Sequence, residues 1–383
     1  MENQPAAKPK YELIMDDILA QIRSNDFSYE EVLCTEKQLS EKYSVSRITA
    51  KRAITDLEQR GILYRKRGVG SFVTRNALSN LNRSITTDET SQIISLLLPF
   101  DSTQGGLFKA VDVINQNLNQ YGCFLSLYIS GVSRKKEKAN IKLLLSQNIS
   151  GLVYYPVRDD INLNLLNEFA LRGVPVIIID KSTDCPYLHN VTSDNFEGGR
   201  LLTEHLISLG HRNICFLTTA PLDETSTVRN RFGGYLHQLR TAGISAGLQN
   251  IFCAPYPISK QHLLDGEAQQ LLADIRQLYN NGTTAFLAEN DQVARTLKLA
   301  CENLGLRVPE DVSICGFDNT ILAGEADLTT INQNFSLIGE HVSQILKASL
   351  ASPSAPVQKI TVPVELVVRG STGPAPVPHT TNN

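Results

Sequence analysis

The sequence predicts an α/β protein, a small helical unit followed by two doubly wound parallel sheets. Three observations carry this reading. From residue 92 onward, short apolar runs of strand length alternate with stretches whose apolar residues recur at every third or fourth position. That is the pattern of parallel strands covered by helices on both faces. The runs 93–98, 124–129, 151–155, 174–179, 214–217, 285–287 and 312–315 are too many for one comfortable sheet, so residues 92–370 divide into two lobes with a cleft between them. Finally, residues 1–76 hold 13 Lys/Arg against 11 Asp/Glu, whereas the rest of the chain is mildly acidic, which sets the first unit apart.

Composition bounds the function classes. With 42% hydrophobic and 20% charged residues, the 383-residue chain is ordinary globular material of more than one domain. No apolar run approaches the ~18 residues of a membrane-spanning helix. Met1-Glu-Asn-Gln-Pro carries no basic-then-apolar export signal, and the seven cysteines are scattered without a Cys-x-x-Cys pair. A reducing, cytoplasmic setting is expected, with no disulfide framework, no metal, no cofactor and no membrane.

The first unit, residues 1–75, reads as helix, helix, turn, helix and hairpin. Tyr11, Ile14, Ile18 and Ile22 form the apolar stripe of the first helix. Thr35 followed by Gln38 makes a capping-box start for the second, 36–43. Ser44-Val45 is a tight turn, Ser46 caps the third helix, 47–60, and Gly61 stops it. On that third helix Ala50, Ile54 and Leu57 point inward, while Ile48, Lys51, Arg52 and Thr55 face away and Arg47 and Thr49 stand near its start. Basic and hydroxyl side chains at the exposed start of a second helix suit a major-groove reader. Within 35–76 the count is 10 basic to 4 acidic residues, as an anionic partner requires. Two β runs then flank Arg65-Lys66-Arg67-Gly68, a basic wing able to enter the minor groove.

The run from Thr35 to Leu57, with Arg67-Gly-Val-Gly-Ser-Phe-Val73, resembles the GntR-family winged helix-turn-helix. The resemblance implies double-stranded DNA contacts by Lys37, Arg47, Thr49 and Lys51 and by the wing tip Arg67-Gly68; Arg52 is expected from the helix face alone, with Lys51, to serve phosphates or guanine edges. Cys34-Thr35 replaces the Pro-Ser common in that family.

Residues 76–91 are polar and weakly periodic, a linker. Residues 371–383 are expected to be a loose tail. Ligands of open α/β sheets bind beyond the carboxyl ends of strands, which singles out Asp101, Asp180-Lys181, Asn290-Asp291 and Asp318. The segments Asp194-Asn195-x-x-Gly198-Gly199, His205-x4-Gly210-His211-Arg212-x-Ile214, Arg231-Phe-Gly-Gly234-Tyr235, Ala288-Glu-Asn290-Asp291-Gln-Val-Ala294, Gly316-Phe317-Asp318 and Thr330-Ile-Asn-Gln333-Asn-Phe335 occur in one linear order. They resemble the effector domain of LacI/GalR regulators, which shares the fold of periplasmic sugar-binding proteins. A GntR-type reader on such a sensor resembles the arabinose-repressor class.

That resemblance places sugar contacts at Glu197, Arg231, Asn290, Asp318 and Gln333 and an aromatic wall at Phe335. Asp101, Phe108 and Lys181 join them as residues following strands. Asp, Asn, Gln and Arg offer the planar donors and acceptors that sugar hydroxyls need. Asn290 and Asp318 also stand where helix caps fall, and His211 reads as structural. The lobes are expected to comprise 92–210 plus 335–351, and 212–332 plus 355–370. Nucleotide-binding, zinc-protease and hydrolase motifs are missing from the sequence, so no catalysis is expected. The reading is a DNA-binding transcription regulator, a repressor of carbohydrate-utilisation genes acting as a homodimer on a near-palindromic operator and answering to a monosaccharide. A purine effector, an activator, or a transport component of the same fold are the alternatives.

Overall fold

The computed structural model describes residues 9–23, 32–59, 61–66, 68–74, 77, 92–99, 106–219, 221–247, 250–254, 268–352 and 354–376. The expected linker, apart from Ala77, lies outside these residues, as do Arg67 and Asp101. Two units, 1–91 and 92–383, are taken in turn.

In the first unit α1 (Lys10–Arg23), α2 (Glu36–Lys42) and α3 (Arg47–Gln59) precede a hairpin of β1 (Leu63–Lys66) and β2 (Gly70–Val73), paired antiparallel from Leu63↔Val73 to Lys66↔Gly70. Thr35 Oγ1 accepts from Gln38 N–H at 3.2 Å and the Gln38 side chain accepts from Thr35 N–H at 2.9 Å, completing the capping box. Ser46 Oγ accepts from Thr49 N–H at 3.2 Å and starts α3. Ile14, Ile18, Ile22, Ala50, Ile54 and Leu57 are buried together, with Ile62 and Val73. Each such large side chain contributes roughly 1.5–3 kcal/mol on leaving water, which holds α3 at a fixed angle to α1 and leaves its other face to solvent.

The second unit opens with β3 (Gln92–Leu98), α4 (Leu107–Asn119), β4 (Cys123–Ile129), α5 (Arg134–Leu145), β5 (Gly151–Tyr154), α6 (Leu163–Leu171), β6 (Val176–Ile179) and β7 (His189–Ser193). It continues with α7 (Asn195–Ser208), β8 (Ile214–Thr218), α8 (Ser226–Thr241), β9 (Ile251–Cys253), α9 (Gln269–Asn280), β10 (Ala285–Ala288), α10 (Asp291–Asn303), β11 (Ser313–Cys315), α11 (Ile321–Glu325) and β12 (Thr330–Gln333). It ends with α12 (Phe335–Ala351), β13 (Lys359–Val362) and β14 (Val364–Val367).

One sheet has six parallel strands in the order β13-β7-β6-β5-β3-β4, the other four in the order β11-β10-β8-β9, and β12 pairs antiparallel with β14. Successive strand residues serve opposite faces. Ile94, Leu96, Val153 and Ile177 pack under α4 and α12, while Leu97, Leu152, Tyr154 and Ile178 pack under α5 and α6. The second sheet repeats this, with Cys215, Leu217 and Phe286 against α9 and α10 and Ile214, Phe216 and Leu287 against α7 and α8. Hence the strands read as continuous apolar runs.

The chain passes between lobes after β7, after β12 and after β13, and Asp194 N–H donates to Val362 O at 2.8 Å where two passages meet. This corrects the expected lobe limits. Helix α7 belongs to the second lobe through Leu202 and Leu206, so the first lobe ends near 193 rather than 210. Strand β13 pairs with β7 from Lys359↔Asn190 to Val362↔Ser193, so part of 355–370 enters the first sheet; pairing follows ladder hydrogen bonds, not nearness in sequence.

The loose tail is corrected too. Ser371 is fully buried, donates to Ile314 O at 2.6 Å and accepts from Thr329 N–H at 2.8 Å, and Ala375 N–H donates to Leu209 O at 2.8 Å. Residues 377–383 lie outside the described residues. His211 is structural as read: fully buried, it contacts Thr284 Oγ1, Ser313 Oγ and Gly373 O.

Candidate functional site

On the first unit, Arg47, Ile48 and Lys51 stand exposed on α3, Ile48 by 81%. Among the described residues the side chains of Arg47 and Lys51 have no polar partner. Lys37 on α2 is exposed, 4.0 Å from Glu41. Thr49 is half-buried, its hydroxyl 2.9 Å from Ser46 Oγ. Two sequence readings change. Arg52 lies 4.0 Å over the Tyr11 ring, so its guanidinium is partly committed to α1. Arg65 at the wing is an internal tie, pairing with Glu58 at 2.5 Å and Glu36 at 3.6 Å, because β1 folds back on α3. Gly68 is exposed with φ +79°, a turn geometry that favours glycine.

In the second unit Arg231 sits on α8 and is buried. Its Nε donates to Asn195 Oδ1 at 2.8 Å, Nη1 to Glu289 O at 2.5 Å and Nη2 to Asp318 Oδ1 at 3.4 Å. Its planar face lies 3.6 Å over the Phe317 ring. Asp318 also accepts from Gln333 Nε2 at 2.6 Å and takes φ +108°, rare for a residue with a side chain. From the first lobe, the Tyr155 hydroxyl donates to Asp180, and Lys181 Nζ pairs with Asp180 at 2.8 Å. Lys181 Nζ also donates to Thr227 Oγ1 at 3.2 Å, on α8 of the second lobe. The polar group therefore spans both lobes at the carboxyl ends of β5, β6, β10 and β11.

Electrostatics follow from this crowding. Burial pushes the Asp318 carboxyl up to about 7; Arg231 opposes the rise, and Asp291 and Asp180 add to it. Burial would likewise raise Asp180, yet the Lys181 ammonium and Arg231 hold it below its usual range. Asp291 is pushed up to about 6 by burial, against donation from Thr330 and Thr320. Asp291 accepts from Thr320 N–H at 2.7 Å and Thr330 Oγ1 at 2.6 Å, so it is a structural brace. Glu289 is buried, with Thr218 and Thr219 hydroxyls each 2.5 Å away.

The structure thus gathers Arg231, Asp318, Gln333 and Lys181, and distributes the other expected contacts. Glu197 turns away: Arg200 holds both its oxygens at 2.7 Å, which lowers its pKa. Asn195 takes the place beside Arg231, because two residues along a helix turn a side chain through about 200°. Asn290 Oδ1 caps α10, accepting from Val293 N–H at 2.9 Å. Phe108 is 58% exposed on the first turn of α4. Phe335 packs over Gly106 at the start of that helix, where a Cβ would fall 2.2 Å from its ring. Sequence reasoning left out Tyr155, Asn195, Glu289 and Phe317; Asn195, Glu289 and Phe317 stood inside motifs already noted.

A two-lobed sensor with a buried polar cluster between its lobes, preceded by a winged helix with Arg47 and Lys51 exposed on its third helix, defines a ligand-responsive regulator. Residues 10–73 match the model for bacterial regulatory proteins of the gntR family, and residues 203–372 that for the periplasmic binding protein-like domain. The chain is 27% identical over 379 residues to an arabinose metabolism transcriptional repressor of Geobacillus stearothermophilus, covering 95% of this chain and 98% of that one. It is 32% identical over 273 residues to the lactose operon repressor of Escherichia coli, covering 69% of this chain and 70% of that one. A LacI family transcriptional regulator from Enterococcus faecium, solved with bound ribose, superposes with a TM-score of 0.63 at 25% identity, covering 74% of this chain and 99% of that one. The chain belongs to the lactose-repressor family of DNA-binding transcription regulators, with a gntR-family domain at its N-terminus. Among the described residues no helix is long and apolar enough to cross a membrane.

Proposed function

We propose that this protein is a cytoplasmic repressor of carbohydrate-utilisation genes whose effector is a monosaccharide held between the sensor lobes. The observation that carries the reading is the Arg231–Asp318–Gln333 group facing Tyr155, Asp180 and Lys181. Rigid planar donors and acceptors, already oriented by one another, match vicinal hydroxyls without reorganising. Phe335 and Phe108 at the carboxyl edge of the first sheet offer apolar faces for the C–H side of a sugar ring. The relatives act on arabinose and lactose genes by name, and one structural neighbour was solved with ribose, which supports a sugar over a purine.

Two copies would set paired α3 helices, with Lys37, Arg47, Thr49, Lys51 and the wing tip Arg67-Gly68, against a near-palindromic operator. The sugar shifts operator occupancy only through its different affinity for two sensor states. No catalytic step is part of this reading. The test is a thermal-shift series on the full chain with aldopentoses, aldohexoses and purine bases. One monosaccharide is expected to raise the melting temperature by mass action and to weaken binding to a duplex from the protein's own promoter. A rise with purines alone would overturn the sugar assignment.

A further inference from the structure

Apart from the Arg231 group, the sensor lobes are tied along one flank by a second set of bonds. After β5, Arg158 and Asp159 of the first lobe meet the start of α8 in the second. Asp159 Oδ1 accepts from Ser226 Oγ at 2.8 Å, its Oδ2 accepts from Arg229 Nη2 at 3.1 Å, and its N–H donates to Glu224 O at 3.2 Å. Arg158 pairs with Glu224 at 2.9 Å, and Ser182 N–H donates to Ser226 Oγ at 2.9 Å. Thr225, the residue just ahead of α8, supplies no side-chain cap to that helix. A carboxylate from the opposite lobe stands at that end instead, where unpaired N–H groups favour an anion.

The same helix carries Arg231. Its middle is locked to α7 by close backbone approach: a Cβ on Gly199 would fall 2.0 Å from Arg231 O, and one on Gly234 1.9 Å from Phe196 O. One stretch of α8 is therefore fixed by its own lobe and its first turn by the other.

We propose that Asp159 is a positioning residue for effector recognition, bonded across the lobes to the first turn of α8 so that Tyr155, Asp180 and Lys181 are held at their working distance from Arg231. This rests on the effector reading above. A charge-assisted cross-lobe bond that forms only when the lobes meet biases the sensor toward that arrangement, whereas one confined to a single lobe would not.

The test uses the full chain and the variants Asp159→Asn, Arg229→Gln and their combination. Asp159→Asn keeps the shape and an acceptor for Ser226 but loses the charge. Backbone amide exchange at residues 226–231, without sugar, is expected to quicken about tenfold in each single variant, the loss of one charged hydrogen bond. The double variant should be no faster than the singles, because both remove the same bond. L-arabinose, used as the probe, should bind Asp159→Asn about tenfold more weakly than wild type. Unchanged exchange, or effects that add, would overturn the proposal, and so would unaltered L-arabinose affinity. If Asp159→Asn fails to fold, Arg229→Gln alone decides by its exchange rate. A wild-type chain indifferent to every monosaccharide would count against the effector reading, and the exchange measurement would still judge the cross-lobe tie.

Discussion

The two units handle positive charge in opposite ways. On α3, Arg47 and Lys51 project into solvent with no polar partner among the described residues. In the sensor, Arg231 is 5% exposed, with three acceptors around its edge and an aromatic ring on its face. A polyanion is held by charges free to displace its counterions. A small neutral ligand instead needs groups whose directions are settled beforehand. On the proposed reading, stability and recognition are therefore separable in the reader and joined in the sensor.

Four measurements would break or sharpen that contrast. The largest effect belongs to Arg231→Ala. It strands Asp318 and the Glu289 carbonyl, and destabilisation of about 3 kcal/mol is expected from urea unfolding, together with loss of the sugar-induced melting shift. A variant that kept full stability would mean that the cluster is looser than its geometry. Next, Arg47→Ala should weaken operator binding by about 1–3 kcal/mol if it reads a base edge, leaving stability within about 0.5 kcal/mol; gel-shift and calorimetry on one preparation give both numbers.

Third comes pH. The Asp318 carboxyl titrates near 7 in the fold against about 4 in an unfolded chain. Between those values the folded state holds the extra proton, so stability contributed by this group falls as pH rises from about 4 to 7 and is lost above that. Asp318→Asn should flatten the drift in unfolding midpoints across pH 5–8; an unchanged drift would assign it elsewhere, with Asp291 as the next group to test. The smallest effect is that of Lys51→Ala, which should lower the slope of log affinity against log salt by about one if Lys51 meets a phosphate.

Legibility followed the same divide. The reader was visible in the sequence because its signals are local: the Thr35–Gln38 box, the Ser46 cap and the Ala50–Ile54–Leu57 stripe each span a few residues. Arg65 was not, because its partners Glu36 and Glu58 meet it only once β1 folds back. In the sensor Arg231, Asp318, Gln333 and Lys181, all singled out in the sequence, come together in the fold. The motifs did not say which face of α7 looks inward, so Glu197 stood in for Asn195. Tyr155 ends an apolar run and carries no polar pattern, and only the fold sets its hydroxyl beside Asp180. Lobe membership was hidden at α7 and β13 because three short passages, each a residue or two long, decide it.

The packed end of the chain has a practical corollary. Ser371 closes two buried backbone groups at the edge of the second sheet, on Ile314 of β11 and on Thr329. Fusion labels therefore belong beyond residue 376, and trimming to residue 370 would unpick the fabric of the sensor.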